Sequence, residues 1–392
     1  MMKLAVLFDH FGPYHLARLR GVAKHADVLG IEIRGRSRDY AWEVGKRGDV
    51  PLTTLDAGDR ETPGVLDAKL ASVLGDFAPD AVAIPGWSSP WALRALRWCL
   101  GRRIPAVLMT ESSRHDERRQ AWKEWVKRRL GGMFSTALAG GSLHADYLEA
   151  LGMPRSRVFL GYDAIDNEFF RKRVAVLRET QTERPQPRHF LASARFIEKK
   201  NLFRLLQGFA DYRHSVLRLG LEPWSLVLLG DGELRPDIEA SVKELQLAEV
   251  VTMPGFKQYD ELPGYYARAS AFIHASTTEQ WGLVVNEAMA SSLPVLVSDR
   301  CGCAPDLVRP ELNGFVFDPF NVNAIRSVME RVTRLPEEQR AGMGQASGQI
   351  IANWGPERFG EGLSQAARLA SSGTFKPTSW LDAMLLAFLA RS

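Results

Sequence analysis

"EQWGLVVNEAMASSLPVLVSD", residues 279–299, sets two glutamates eight positions apart around a glycine and an apolar run. The preceding "AFIHAS" ends a strand, Thr277-Thr278-Glu279-Gln280 forms a loop, and Gly282 opens a helix. The backbone N–H groups of Gly282, Leu283 and Val284 have no acceptor within that helix, and its dipole adds partial positive charge. Such an end suits a diphosphate or another oxyanion. Glu279 lies just before it, within reach of a ligand held at the tip. Glu287, about one and a half turns inside, looks the same way as Gly282 and can accept two hydrogen bonds, matching the vicinal hydroxyls of a ribose. Taken alone, the two carboxylates could as well be solvated, with Glu279 merely capping the helix.

The strand–loop–helix unit repeats along the chain. "KLAVLF" (3–8) reads as a buried strand followed by the helical "YHLARLRGVAKHA". "AVAIPG", "IPAVLMT", "GMFSTALAGG" and "SRVFLGYD" read as further strands separated by helical stretches. "RKRVAVLRETQTERPQPR" (171–188) is charged, contains two prolines and fits a linker. Beyond it the grammar restarts with "HFLASAR", "SLVLLGDG", "VVTMPG", "AFIHAS" and "PVLVSD" as strands. Alternation of this kind implies parallel sheets covered by helices on both faces. A chain of 392 residues exceeds one hydrophobic core. The expected plan is therefore two Rossmann-like, doubly wound α/β domains facing across a cleft, at 1–170 and 189–355. Two C-terminal helical stretches, 356–392, would pack back on the first domain. In such sheets ligands lie beyond the carboxyl ends of the strands, so the loops after strands should carry the chemistry.

Composition narrows the class. The chain is 45% hydrophobic and 24% charged, and it lacks the roughly 20-residue apolar run of a spanning helix. The start "MMKLAVLFDH" is too short in apolar residues for a signal peptide, so a cytoplasmic protein is expected. Three cysteines, Cys99, Cys301 and Cys303, supply neither a disulfide framework nor a four-ligand zinc site. A net charge of +4 is too weak to argue for nucleic acid and is compatible with an anionic substrate or an acidic membrane surface.

The opening stretch, in this context, resembles the E-x7-E region of retaining glycosyltransferases of family 4, which have the GT-B fold. Glutamate, aromatic, Gly-Leu-Val-Val, Glu-Ala-Met-Ala, Leu-Pro-Val and Ser-Asp stand nearly intact here. Three more segments match in order. "SARFIEKKNLFRLLQGF" is similar to the family segment with an arginine and a lysine five positions on, here Arg195 and Lys200. "LVLLGDGE" is similar to its strand and Gly-x-Gly turn, here Gly230 and Gly232. "VTMPGFKQYDELPGYYARASAFIHAS" resembles the segment that passes the nucleobase, with Gly255 and Phe256 at the turn. The resemblance is strong over about 190–355 and weaker in the N-terminal half.

What the resemblance implies is metal-independent sugar transfer with retention, from a nucleotide-diphosphate sugar to a hydroxyl-bearing acceptor, in bacterial polysaccharide, glycolipid or glycosylated natural-product synthesis. Arg195 and Lys200 would take the leaving diphosphate, Glu279 the donor sugar and Glu287 the ribose. No resident cofactor is expected, and no Asp-x-Asp triplet is present to hold a metal. The chemistry agrees, because cleaving a sugar–diphosphate bond develops negative charge that fixed cations and a helix N-terminus stabilise. Other readings keep the fold: a nucleotide-sugar epimerase, a phosphorylase, or a binding protein that no longer turns over.

In the first half, "FDHFGPYHLARLRG" follows the first strand. Gly12 would allow close approach of donor or phosphate, while Tyr14 and His15 are either acceptor contacts or packing residues. Many family members carry a histidine after the strand equivalent to "IPAVLMT"; here Glu111 or Ser112 falls near that position and His115 is displaced. Glu111 is therefore a candidate at the acceptor side. "ERRQAWKEWVKRRLGG" (117–132) is a basic helix with Trp122 and Trp125, which either rests on anionic lipid or packs its tryptophans inward. "CGCAPDLV" (301–308) stands where the family has a Gly-rich turn beside the donor.

Overall fold

Long apolar runs become strands buried on both faces. Leu4 to Leu7, Ala81 to Ile84, and Val295 to Val297 are all without solvent exposure, as parallel sheets between helix layers require. The computed structural model describes residues 1–35, 50–55, 63–116, 119–180, 187–373 and 378–391. They divide into two compact units, Met1–Asp166 with Trp354–Ser392, and Asn167–Asn353.

The first unit has strands β1 (Lys3–Phe8), β2 (Asp27–Glu32), β3 (Leu52–Thr54), β4 (Ala81–Pro85), β5 (Ala106–Thr110), β6 (Thr136–Ala139) and β7 (Val158–Leu160). Its helices are α1 (Pro13–Ala23), α2 (Pro63–Phe77), α3 (Pro90–Arg102), α4 (Ala121–Gly131) and α5 (Ser142–Ala150). The sheet is parallel in the order β3-β2-β1-β4-β5-β6-β7.

The second unit opens with α6 (Asn167–Thr180) and contains strands β8 (His189–Ser193), β9 (Ser225–Leu229), β10 (Val251–Gly255), β11 (Ala271–His274), β12 (Val295–Ser298) and β13 (Gly314–Phe317). Between them run α7 (Leu202–Arg218), α8 (Arg235–Glu244), α9 (Leu262–Arg268), α10 (Leu283–Ala290) and α11 (Ala304–Leu307), then α12 (Val322–Arg334) and α13 (Glu337–Ile351). The order is β10-β9-β8-β11-β12-β13, all parallel. This is the doubly wound order in which the winding reverses between the first and fourth strands, here β8 and β11. Loops leaving those two strands flank the crevice where such sheets take ligands.

The chain then returns to the first unit as α14 (Pro356–Ser372) and α15 (Trp380–Leu389). Helix α14 crosses α1 at glycines. A Cβ built on Gly21 would stand 2.0 Å from the Pro356 carbonyl oxygen, so only glycine permits the approach.

One expectation changes. Residues 171–180 are not a linker but the greater part of α6, and 181–186 lie outside the described residues. Phe170 and Val174 are buried one turn apart, while Arg171 and Lys172 pair with Glu168 on the outer face. A helix with so narrow an apolar stripe reads as linker by composition. Position 117 of the basic segment and position 118 also lie outside the described residues, and the helix itself begins at Ala121. Among the described residues no helix is long and apolar enough to cross a membrane.

Candidate active site

The loop after β11 and the loop after β8 meet at one carboxylate. Glu279 sits just before α10, and Lys200 sits in the turn that leads from β8 to α7. Lys200 Nζ donates to Glu279 Oε2. His274 Nε2, the last residue of β11, lies 3.2 Å from the same oxygen, and so does Ser276 Oγ. An ionised carboxylate only accepts, so these contacts require His274 to carry its proton on Nε2. Three donors thus converge on Oε2. Among the described residues, Oε1 has only the Lys199 ammonium near it, at 4.0 Å. Glu279 is 12% exposed, so that second oxygen is its open face.

Electrostatics follow from this packing. Burial alone would raise the Glu279 pKa, but the His274 hydrogen bond and the Lys200 charge prevail and hold it well below the usual carboxylate range. Burial lowers the His274 pKa against the pull of Glu279, which keeps the imidazole neutral at physiological pH. The site is therefore a fixed anion–cation pair with a neutral histidine behind it.

Backbone contacts hold the loop. Glu279 N–H donates to the Arg300 carbonyl at 3.2 Å, and Gly302 N–H donates to the Glu279 carbonyl at 3.0 Å. Cys303 N–H donates to the Trp281 carbonyl at 3.2 Å, so the "CGC" turn is a backbone splint for the loop. Trp281 is buried, and its indole N–H donates to Asn286 Oδ1 at 2.9 Å, tying the loop to α10. Gly282 caps α10 in the left-handed region, φ 102°, so the helix proper begins at Leu283. The first N–H groups of α10 have no acceptor inside the helix.

Glu287 lies deeper than its partner, 2% exposed, and accepts from the Tyr266 hydroxyl at 2.7 Å. Burial first, and then Glu287, push the Tyr266 phenol well above its ordinary value, and a hydrogen bond from Ser193 opposes them. The end of β8, α9 and α10 are thereby linked through one buried hydroxyl. Arg195, partly buried, follows β8 directly. Gly230 and Gly232 follow β9; at Gly230 φ is 132° and a Cβ would meet the Ala194 carbonyl oxygen at 1.9 Å. The turn after β9 therefore lies against the backbone that carries Arg195. Gly255, φ 81°, ends β10, and Phe256 beyond it is exposed. Sequence reasoning missed His274, Ser276 and Tyr266. A lone histidine ending an apolar strand and a tyrosine in a seven-residue helix carry no spacing signal.

The candidates of the first unit have a different setting. Gly12 is the extended N-cap of α1, φ −78°, a conformation open to any residue. Its N–H donates to His15 Nδ1 at 3.3 Å. His15 packs 4.4 Å from the Phe8 ring, and burial, then Arg18 and His10, lower its pKa. Tyr14 is buried in the domain core. Tyr14 is thus packed, and His15, half-buried, caps the start of α1. Glu111, immediately after β5, is hydrogen-bonded to Asp163; burial and then this second carboxyl raise the Asp163 pKa well above normal. Arg18 Nη2 stands 3.6 Å from Asp163. His115 belongs to a turn closed by Asp116, whose carboxylate accepts from Ser113 N–H and Oγ at 2.7 Å each. Among the described residues no cluster of three or more His, Cys, Asp or Glu could hold a metal ion.

Residues 175–349 match the family model of the glycosyl transferases group 1. The amylovoran biosynthesis glycosyltransferase AmsK of Erwinia amylovora is 24% identical over 286 residues, 71% of this chain and 67% of that protein. A GDP-mannose-dependent alpha-mannosyltransferase of Corynebacterium glutamicum is 25% identical over 343 residues, 81% of this chain and 77% of its own. Three other curated relatives are matched over 19% to 28% of their own length. Among solved structures, HepE of Anabaena in complex with UDP and glucose superposes with a TM-score of 0.72 at 17% identity, over 93% of this chain and 99% of that one. The solved structures show the fold, the GT-B architecture of two Rossmann-like parallel-sheet units, while the matched family segment spans less than half of this chain.

Proposed function

We propose that the protein is a retaining glycosyltransferase that moves a sugar from a nucleotide-diphosphate sugar to a hydroxyl acceptor without a metal ion. The observation that carries this reading is the meeting of Lys200, Glu279 and the start of α10 at the β8–β11 reversal, with Arg195 on the same loop as Lys200. Arg195, Lys200 and the N–H groups of Leu283 and Val284 hold the departing diphosphate, doing with fixed charge what a divalent cation would do. Glu279 Oε1 accepts a hydroxyl of the donor sugar, and Glu287, steadied by Tyr266, accepts the ribose hydroxyls. Gly255 and Phe256 border the base. The anomeric carbon–oxygen bond breaks, the diphosphate leaves with its electron pair, and the acceptor oxygen attacks from the same face. The acceptor's proton passes to the departing phosphate oxygen, so configuration is retained and charge balances.

Acceptor binding falls to the first unit, where Glu111 and Asp163 can donate or accept toward a hydroxyl. The likeness to an amylovoran biosynthesis glycosyltransferase and to a GDP-mannose-dependent alpha-mannosyltransferase supports polysaccharide or glycolipid synthesis as the setting. The test is product analysis by NMR once a donor is found: an α-linked product from an α-linked donor supports retention. Inversion overturns the mechanism, and conversion of the donor without acceptor indicates an epimerase.

A further inference from the structure

Helix α15 is apolar on both faces. Leu386 and Ala390 are buried against the first unit, yet Trp380 is 71% exposed, Met384 63% and Phe388 70%, spaced four residues apart on the outer face. A helix docked only on its own domain would carry polar residues there. Beside it lies α4, where Trp122 is 65% and Trp125 50% exposed, so the tryptophans of the basic helix do not pack inward.

The two helices run antiparallel. Arg129 near the end of α4 donates to Asp382 Oδ1 at 2.7 Å near the start of α15. At the opposite ends, Trp122 and Leu389 line one cavity of about 460 Å³. Trp87, Pro90, Leu93 and Val126 complete its apolar wall, and Lys123 and Lys127 stand at its rim. Cations outnumber carboxylates at the patch: Lys123, Lys127 and Arg129 against Glu124 and Asp382. Contiguous exposed aromatic and aliphatic surface edged by cations has the chemistry of a bilayer interface, where rings sit at headgroup level and lysines meet lipid phosphates.

We propose that α4 and α15 form a docking face for an anionic lipid bilayer, and that an acyl chain enters the cavity between them and α3. The face is built entirely within the first unit and makes no use of the transfer site. It binds lipid whether or not the proposed reaction is correct.

The test is co-sedimentation of the full chain with phosphatidylcholine vesicles, with and without phosphatidylglycerol, at low and high salt. The chain should pellet with phosphatidylglycerol vesicles, shift its tryptophan emission to shorter wavelength, and release as salt rises. Trp125→Ser, Trp380→Ser and Phe388→Ser, all outward-facing, should together weaken binding at least tenfold with an unchanged circular dichroism melting curve. Lys123→Glu should cost about fivefold or more toward phosphatidylglycerol and nothing toward phosphatidylcholine. Failure to pellet with either vesicle overturns the proposal. So does a dimer in sedimentation equilibrium that the same three serines dissociate, because a second copy would then cover the face.

Discussion

Glu279 shows how burial, charge and geometry set one residue's task. Three protein donors on a single oxygen lock its orientation and leave the other oxygen turned outward. Removing Lys200 breaks the closest ion pair of a buried carboxylate, which keeps only His274, Ser276 and the more distant Lys199, a loss of at most about 3–5 kcal/mol. Lys200→Met should therefore lower both stability and activity, whereas Lys200→Met with Glu279→Gln should recover much of the stability and none of the turnover. Denaturant melts beside donor-turnover assays separate the two effects. The pH dependence follows from sign. Glu279 is held below its unfolded value, so its stabilisation is complete above about pH 4–5 and is lost as pH falls toward the folded value. His274 and His15 are also held low, so the unfolded chain binds more protons than the folded one below about pH 6.5, and stability drops there too. His274→Leu should flatten the fall of the denaturation midpoint between pH 7 and pH 5, whereas Asp163, held high, opposes that fall because the folded state takes up its proton first. Arg195, Lys200, Glu279 and Glu287 could be nominated because the family motifs they resemble stand in order along the chain, and folding does bring Lys200 to Glu279. His274, Ser276 and Tyr266 could not, since each acts only through neighbours that folding brings to it.

At the scale of elements, the site depends on one side-chain tie and one close backbone approach. The indole of Trp281 fastens the 277–282 loop to α10 through Asn286. Trp281→Phe keeps the ring and strands a buried amide oxygen, which should cost about 1–3 kcal/mol and loosen donor binding, read by thermal unfolding and titration. Gly230 cannot accept a Cβ, because the Ala194 carbonyl occupies that space. Gly230→Ala should displace the Arg195 loop and raise the donor KM more than it lowers kcat. Strands were legible wherever apolar runs are continuous, as in β1, β4 and β12. Helix α6 was not, because its two buried residues are outnumbered by charges on its solvent face. Strand β2 went unread for a related reason: Gly30 and Glu32 interrupt its apolar pattern, although Glu32 is buried and accepts from the Phe11 N–H at 2.8 Å.

Across the whole molecule, two parallel sheets of seven and six strands share one construction rule, and the chain returns to the first unit through α14. The two-domain plan was readable from the strand–helix alternation, while the boundary at 166–167 was not, because the first helix of the second unit is disguised by its charge. Gly21→Ala should break the α1–α14 crossing and lower the melting temperature of the full chain without altering nucleotide affinity, since that crossing lies entirely in the first unit. The hold on a diphosphate proposed for the second unit underlies the rest. Isothermal titration of UDP, GDP, ADP and dTDP into the full chain and into Arg195→Ala tests it most directly. One nucleotide should bind the native chain with micromolar affinity and bind the variant at least tenfold more weakly; equal affinity in both, or no binding by any of the four, would contradict the account.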